Sequence, residues 1–449
     1  MPARVALVVI SNHAFIPSFA QYHVAARGTR ESYIGEVRKD SVDFLSACGI
    51  EVILDEWVHD VDSARTIASK LKQIDFDLLV FTVPIWPGGD SVLELAKAVA
   101  NVPLVVWTPV TPLGHLCGYF EVTSDLRSLG IRFEPVFGKT REAKEQIRRF
   151  AKAAMVVKKL HVSRVAQIGY TPHAYVDVTA SELDLRARFG LEIAHLDISE
   201  VHSETIKVTE EEAEEVESEF RKKVGEMKMP EKDLLLPAKI CRALDKIIVK
   251  YKLNGYALSC SPMNFEIAFP CLALSKSTEE GVVGSCEGDL PSAIMLLILH
   301  EIAGKAPAVL DIDSGEIEKN IVNLWHCGHL AMSLAESPSD IAITPPLYDG
   351  EVMGPGAVLF FPIKQGKVTL ANLSGKGDRM FIASGEALRL EKKKGSGGYS
   401  EVRLDSNLVD TLRIMAENGV GHHLCMVHED IKGELIALCK ILGIQSVIC

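Results

Sequence analysis

The chain has no apolar run long enough to cross a membrane, no excess of positive charge, and no pair of cysteines spaced as C-x-x-C. Its longest apolar stretches, such as residues 293–299, fall well short of the ~20 residues a spanning helix needs. Only a short apolar run, residues 5–10, follows Arg4, so neither a membrane span nor a signal peptide is expected. Lys plus Arg number 48 against 60 Asp plus Glu, a formal charge of −12, which is the wrong sign for coating a phosphate backbone. No nucleic acid partner is expected. The ten cysteines are scattered, which excludes a disulfide framework and a zinc ribbon and fits free, mostly buried thiols in a cytoplasmic protein. Neither G-x-G-x-x-G nor G-x-x-x-x-G-K-[ST] occurs, so no nucleotide is indicated.

What is present is a 449-residue chain of ordinary globular composition, long enough for about three domains. Residues 1–160 alternate short β-branched runs (5–10, 51–54, 78–82, 104–107) with helix-period segments. That is the pattern of a parallel sheet covered on both faces. A second series of the same kind runs over 161–325. In it Thr209 and Glu212 form a capping box for a helix whose acidic side, 210–219, faces solvent. From 326 to 449 the texture changes to short strands with glycine-rich turns and a last helix over 431–442. The fold expected is α/β: two Rossmann-like parallel-sheet domains followed by a β-rich, barrel-like or sandwich C-terminal domain.

The chemistry concentrates in three windows. Residues 281–313 read as strand, turn, helix and strand, which would put Glu287 and Asp311 just beyond the carboxyl ends of two strands of one right-handed βαβ unit. Two carboxylates facing one crevice suit a divalent cation or an acid/base pair. On spacing alone Asp313 or Glu316 is an alternative to Asp311, and each carboxylate has the bland alternative of a helix cap or ion pair. The other windows are Trp325-His326-Cys327-Gly328-His329 and Gly419-Val420-Gly421-His422-His423, with His428 following. Adjacent histidines point different ways, so at most one of His422 and His423 is expected at a shared ion. Carboxylates with imidazole favour Mn²⁺ or Mg²⁺ over zinc.

As an ordered set, Ser285-Cys286-Glu287-Gly288-Asp289, Asp311, Cys327-Gly328-His329 and Gly421-His422-His423 resemble the L-fucose/L-arabinose isomerase superfamily. Residues 366–375 resemble its C-terminal domain, and Val83-Pro84-Ile85-Trp86 its N-terminal substrate-contact turn. The likeness is strongest over 255–449. It implies a metal-dependent aldose–ketose isomerase in which Glu287, Asp311 and His423 bind Mn²⁺ (or Mg²⁺), with His329 as a further ligand and Glu287 and Asp311 as the acid/base pair. It also implies a homo-oligomer, trimer or hexamer, in which Trp86 packs on a sugar bound in a neighbouring subunit. Asn264, Asn418 and His422 are further candidates for sugar contact, against turn or capping roles. Pocket shape decides among a pentose, a 6-deoxyhexose and a sugar with a charged C6 group. The same residues would serve an epimerase or an aldolase, and a non-catalytic sugar-binding protein could keep the scaffold.

Overall fold

The short β-branched runs of the N-terminal segment become the parallel strands of a first unit. In this computed structural model residues 2–11, 30–99, 102–109, 116–260, 267–348, 351–391 and 396–449 are described. The chain divides into two units, Met1–Lys158 with Gly433–Gly443, and Lys159–Lys432 with Ile444–Cys449. The first holds β1 (Ala3–Ile10), β2 (Ile50–Val58), β3 (Leu78–Thr82), β4 (Leu104–Thr108) and β5 (Glu134–Phe137), in the order β2-β1-β3-β4-β5. All are parallel, and β3 and β4 are buried along their whole length, as strands covered on both faces must be. The helix Val61–Leu71 shows how the covering is coded. Asp60 and Ser63 cap each other's backbone, and Ala64, Ile67, Ala68 and Leu71 repeat at helical spacing on the buried side.

The second unit carries β6 (Arg164–Ile168), β7 (Glu192–Leu196), β8 (Glu226–Met227), β9 (Gly255–Leu258) and β10 (Val283–Ser285). It continues with β11 (Ala308–Glu316), β12 (Ile321–His326), β13 (Ala342–Thr344), β14 (Leu347–Tyr348), β15 (Glu351–Val352) and β16 (Val358–Pro362). The last strands are β17 (Gly366–Leu373), β18 (Arg379–Ala387), β19 (Gly398–Leu404), β20 (His423–Val427) and β21 (Gln445–Ile448). Strands β10-β9-β6-β7 form a parallel sheet. A larger mixed sheet runs β21-β18-β17-β20-β11-β12-β19-β16-β13-β8, and a further pairing of β18 with β19 closes β17, β20, β11, β12, β19 and β18 into a ring. The register sets Leu310 opposite Leu424, Met426 opposite Leu370 and Val322 opposite Val402, all members of one buried cluster.

The capping box at Thr209 and Glu212 is present, with Ala213, Val216 and Phe220 buried below it. One expectation is corrected. Strand β11 does not complete a βαβ unit with β10: β10 pairs with β9, whereas β11 lies antiparallel between β12 and β20. The linking helix, Leu290–Ala303, packs on β9 and β10 on one side and on β17 and β20 on the other. It is apolar all round because both sides are buried, and it therefore carries the chain out of one sheet into the other. Asp311 consequently lies within a strand and not past its end. The change of texture near residue 325 falls inside the large sheet, which takes β11 and β12 from before it. Among the described residues no helix is long and apolar enough to cross a membrane.

Candidate active site

Strand β10 ends at Ser285 and the chain turns through Cys286, Glu287, Gly288 and Asp289 into the helix Leu290–Ala303. Glu287 and Gly288 both take the left-handed conformation, with φ of 58° and 62°. For a glutamate this costs about 1 kcal/mol or more, and such strain collects at functional sites. Glycine is required next to it. A Cβ at 288 would stand 3.0 Å from Gln167 Nε2 and 3.1 Å from the Tyr170 carbonyl oxygen. Asp289 then caps the helix, accepting the Ser292 backbone N–H at 2.9 Å and its hydroxyl at 2.6 Å.

The other half of the site comes from the ring of strands. Asp311 and His423 are direct partners across β11 and β20, so their side chains share a face. It is the face that also carries Val309 and Cys425, opposite the Leu310 and Leu424 row, and Cys425 reaches the Ser292 carbonyl of the helix. The β11 register to β12 shifts between Ile312 and Ser314, a bulge of the kind found beside active sites. Asp313 lies in it, bound by its neighbour Ser314, and Glu316 pairs with Lys319. Asp311 is thus the acid of that run that meets Glu287's partners.

His423 is 1% exposed. Its Nδ1–H donates to Asp289 Oδ2 at 2.7 Å, and its Nε2 lies 3.4 Å from Asp311 Oδ1 and 3.5 Å from Glu287 Oε2. Burial works against a charge on this ring, but the Asp289, Asp311 and Glu287 carboxylates outweigh it and hold its pKa up at about 10. His422 also reaches Glu287, with Nε2 3.4 Å from the same Oε2 and 4.0 Å from Asp311 Oδ1. Its Nδ1 is 2.6 Å from Asp177 Oδ2, which also accepts the His422 backbone N–H. Both rings therefore approach the Glu287 carboxylate, whereas at most one of them was expected at a shared ion. Strand alternation starts at His423, and His422, one residue before β20, is free of it; the two rings stand 4.1 Å apart.

Does this donor set suit a cation? The Nε2 of His423 is buried without a hydrogen-bond partner, although two carboxylates face it. With Nδ1 bound to a carboxylate, an ion that displaced the proton from Nε2 would meet a lone pair there, the usual arrangement of a metal-binding histidine. Ligand atoms bound at ~2.0–2.2 Å in tetrahedral or octahedral geometry stand about 3 to 3.5 Å apart, the spacing seen here. The donor atoms of Glu287, His422 and His423 lie within 4.8 Å of one another. The residues present fit a divalent ion.

His329 falls one step behind, in a buried group with Cys286 and His326. Its ring meets that of His326 edge-on at 4.1 Å, and burial pushes its pKa down to about 3. Asn418 ends the helix Leu408–Glu417, its Nδ2 donating to the Ile414 carbonyl at 2.8 Å. His428 binds the Lys364 carbonyl. Trp86 belongs to the first unit, half-buried after β3, and Asn264 lies outside the described residues. Among the described cysteines none forms a disulfide. Three participants had no assigned role in the sequence: Asp289, which reads as a cap; Asp177, distant in the chain; and His326, adjacent to more conspicuous residues.

Comparison with known proteins adds a chemical class to this geometry. Proteins named sulfoquinovose isomerase from Priestia aryabhattai and Priestia megaterium are each 28% identical over 442 residues, 95% of this chain and 98% of theirs. One of that name from Alkalicoccus urumqiensis is 26% identical over 409 residues, 88% of each chain. The chain is a relative of sugar isomerases. No protein-family profile matches it. A solved carbohydrate transporter from Acidothermus cellulolyticus aligns over 68% of this chain and 89% of its own at 12% identity, with a TM-score of 0.19.

Proposed function

We propose that this chain is a divalent-metal-dependent aldose–ketose isomerase of the L-fucose/L-arabinose isomerase kind. The observation that carries the proposal is the meeting of Glu287, Asp311 and the Nδ1-anchored His423 around one point. These three would hold the cation, Mn²⁺ or Mg²⁺, with His422 beside it on the exposed side. When bound, the cation supplies Lewis acidity toward the sugar's oxygens. Moving a carbonyl from C1 to C2 requires removal of the weakly acidic C2 proton and passage through an enediolate. Glu287 and Asp311 divide the proton transfers, one serving carbon and the other the hydroxyls. The left-handed backbone at Glu287 fixes its carboxylate where both histidines reach it. His422, half exposed, is placed to contact the sugar, and Trp86 is assigned to a sugar contact supplied by another subunit of a homo-oligomer.

The names of the relatives make sulfoquinovose, a hexose with an anionic sulfonate on C6, the first sugar to test. Incubation of sulfoquinovose, L-fucose and L-arabinose with the protein and Mn²⁺ in D₂O is expected to give a ketose carrying solvent deuterium. Glu287→Gln is expected to abolish that product and leave the circular dichroism unchanged. A second aldose would point to an epimerase, shorter fragments to an aldolase, and tight sugar binding without turnover to a binding protein. Full activity in Glu287→Gln would sink the assignment.

A further inference from the structure

One imidazole at the centre, His326, has no place in the ligand set. It ends β12, is 1% exposed, and its ring lies 5.6 Å from that of His423. Its Nδ1 accepts the Cys327 backbone N–H at 2.8 Å and is 3.2 Å from Nδ1 of His329. A ring nitrogen that accepts a hydrogen bond carries no proton, so the proton of a neutral His326 sits on Nε2. That tautomer is a neutral ring, set by the Cys327 backbone. The same constraint acts on His329. Facing a bare acceptor, it must present Nδ1–H, which leaves its buried Nε2 without a partner, as observed.

This decides between two roles. Cys286, His326 and His329 have the spacing of a soft-metal site, and His326 also stands near Asp311 and His423. Neither nitrogen of His326 is free to coordinate, however, since Nδ1 already accepts a hydrogen bond and Nε2 holds the proton. What remains is a donor. Its present neighbour is Cys286 Sγ at 3.2 Å, a weak acceptor that a sugar oxygen would outcompete.

We propose that His326 is a catalytic residue whose Nε2–H hydrogen-bonds the sugar oxygen that turns negative in the enediolate, with His329 as the positioning residue that locks its tautomer. This rests on the isomerase reading above. A neutral imidazole suits the task, because its N–H stabilises an oxyanion without surrendering the proton.

The test combines kinetics, metal binding and NMR on the intact protein. His326→Ala is expected to lower kcat about 100-fold. His326→Asn, whose Oδ1 can take the Cys327 N–H and whose amide still donates, is expected to recover most of that loss. In both variants Mn²⁺ affinity, followed by electron paramagnetic resonance, should fall by less than about tenfold, the smallest loss expected of a contact that orients a ligand. In the Mg²⁺-loaded protein labelled with ¹⁵N-histidine, His326 should show an unprotonated Nδ1 and a protonated Nε2, and His329→Asn should weaken that preference. A reversed tautomer, or loss of Mn²⁺ affinity in His326→Ala as large as in Glu287→Gln, would make His326 a ligand and overturn the proposal. So would a kcat within about twofold of wild type, since removing an oxyanion donor costs far more. A wild type that isomerises no sugar while keeping the Nε2–H tautomer overturns the isomerase reading itself; an active wild type with the other tautomer overturns only the role of His326.

Discussion

Two carboxylate–imidazole pairs end on the same glutamate, and they differ chiefly in depth. Asp289 and His423 are both buried, one fixed as a helix cap and the other by β-strand register. Asp177 sits in the short turn Val176–Val178, and its partner His422 keeps 34% of its side chain exposed, with Tyr175 stacked on it at 5.9 Å. A shallow crevice bounded by Asp177, Asp289, Ser292, Asn372, His422 and His423 runs beside the two pairs. The same chemical unit therefore serves two ends. The deep pair is preorganised and desolvated, so each of its bonds is strong and each loss leaves a buried group unsatisfied. Water can replace either member of the shallow pair. A rigid ligand and an adaptable substrate contact are what those environments favour.

The largest predicted contrast is in metal binding by the histidines themselves. His423→Ala should weaken Mn²⁺ binding by more than about 100-fold and abolish turnover, because under the proposed assignment it removes a ligand and not its support. His422→Ala should lower kcat/KM with a much smaller change in Mn²⁺ affinity, measured by titration calorimetry. Equal losses in the two variants would erase the distinction between ligand and contact.

Next come their carboxylates. Asp289→Asn can still cap the helix, but its amide cannot accept from His423 Nδ1. The ring must then put its proton on Nε2, facing Glu287 and Asp311. Mn²⁺ affinity should fall about 10- to 100-fold. Asp177→Asn should change it by only a few-fold, with the larger effect on KM. On stability, Asp289→Ala removes a cap and strands a buried N–H, together worth about 3 kcal/mol. Asp177→Ala should cost less than about 1 kcal/mol. Urea denaturation of the metal-free variants separates them.

The asymmetry also explains what the sequence could show. Glu287 and His423 lie next to glycine-rich turns, where local pattern points to chemistry, and the structure brings them together with Asp311, which lies inside a strand. Asp289 carries an equally local signal, Asp289-Leu290-Pro291-Ser292, but that signal says helix cap; its bond to His423 depends on a strand 134 positions away. Asp177 has no local signal at all. The sequence marks a strand leading to Asp311, yet not which sheet that strand joins, because local pattern leaves a strand's neighbours open. The helix Leu290–Ala303, apolar on every side, was the available hint that two layers would cover it.

The smallest effect predicted is on the pH dependence of stability in the metal-free chain. His423 has a folded pKa of about 10, above the ordinary ~6.5 of an unfolded histidine. Its contribution is fully present below the unfolded value and is lost as pH rises through the folded one. The urea midpoint of EDTA-treated protein should therefore decline between pH 6.5 and 10. The His422 pKa is also raised, by Glu287 first and Asp177 after, against burial and His423, so its contribution has the same sign over a window that likewise opens near pH 6.5. Because that ring is half exposed, solvent screens it and its share should be the lesser. His423→Gln should flatten the decline more than His422→Gln does, and the difference between the two slopes cancels the other groups that titrate in this range. If the two variants flatten it equally, depth does not separate the pairs, and the buried position of His423 would have to matter for metal affinity alone.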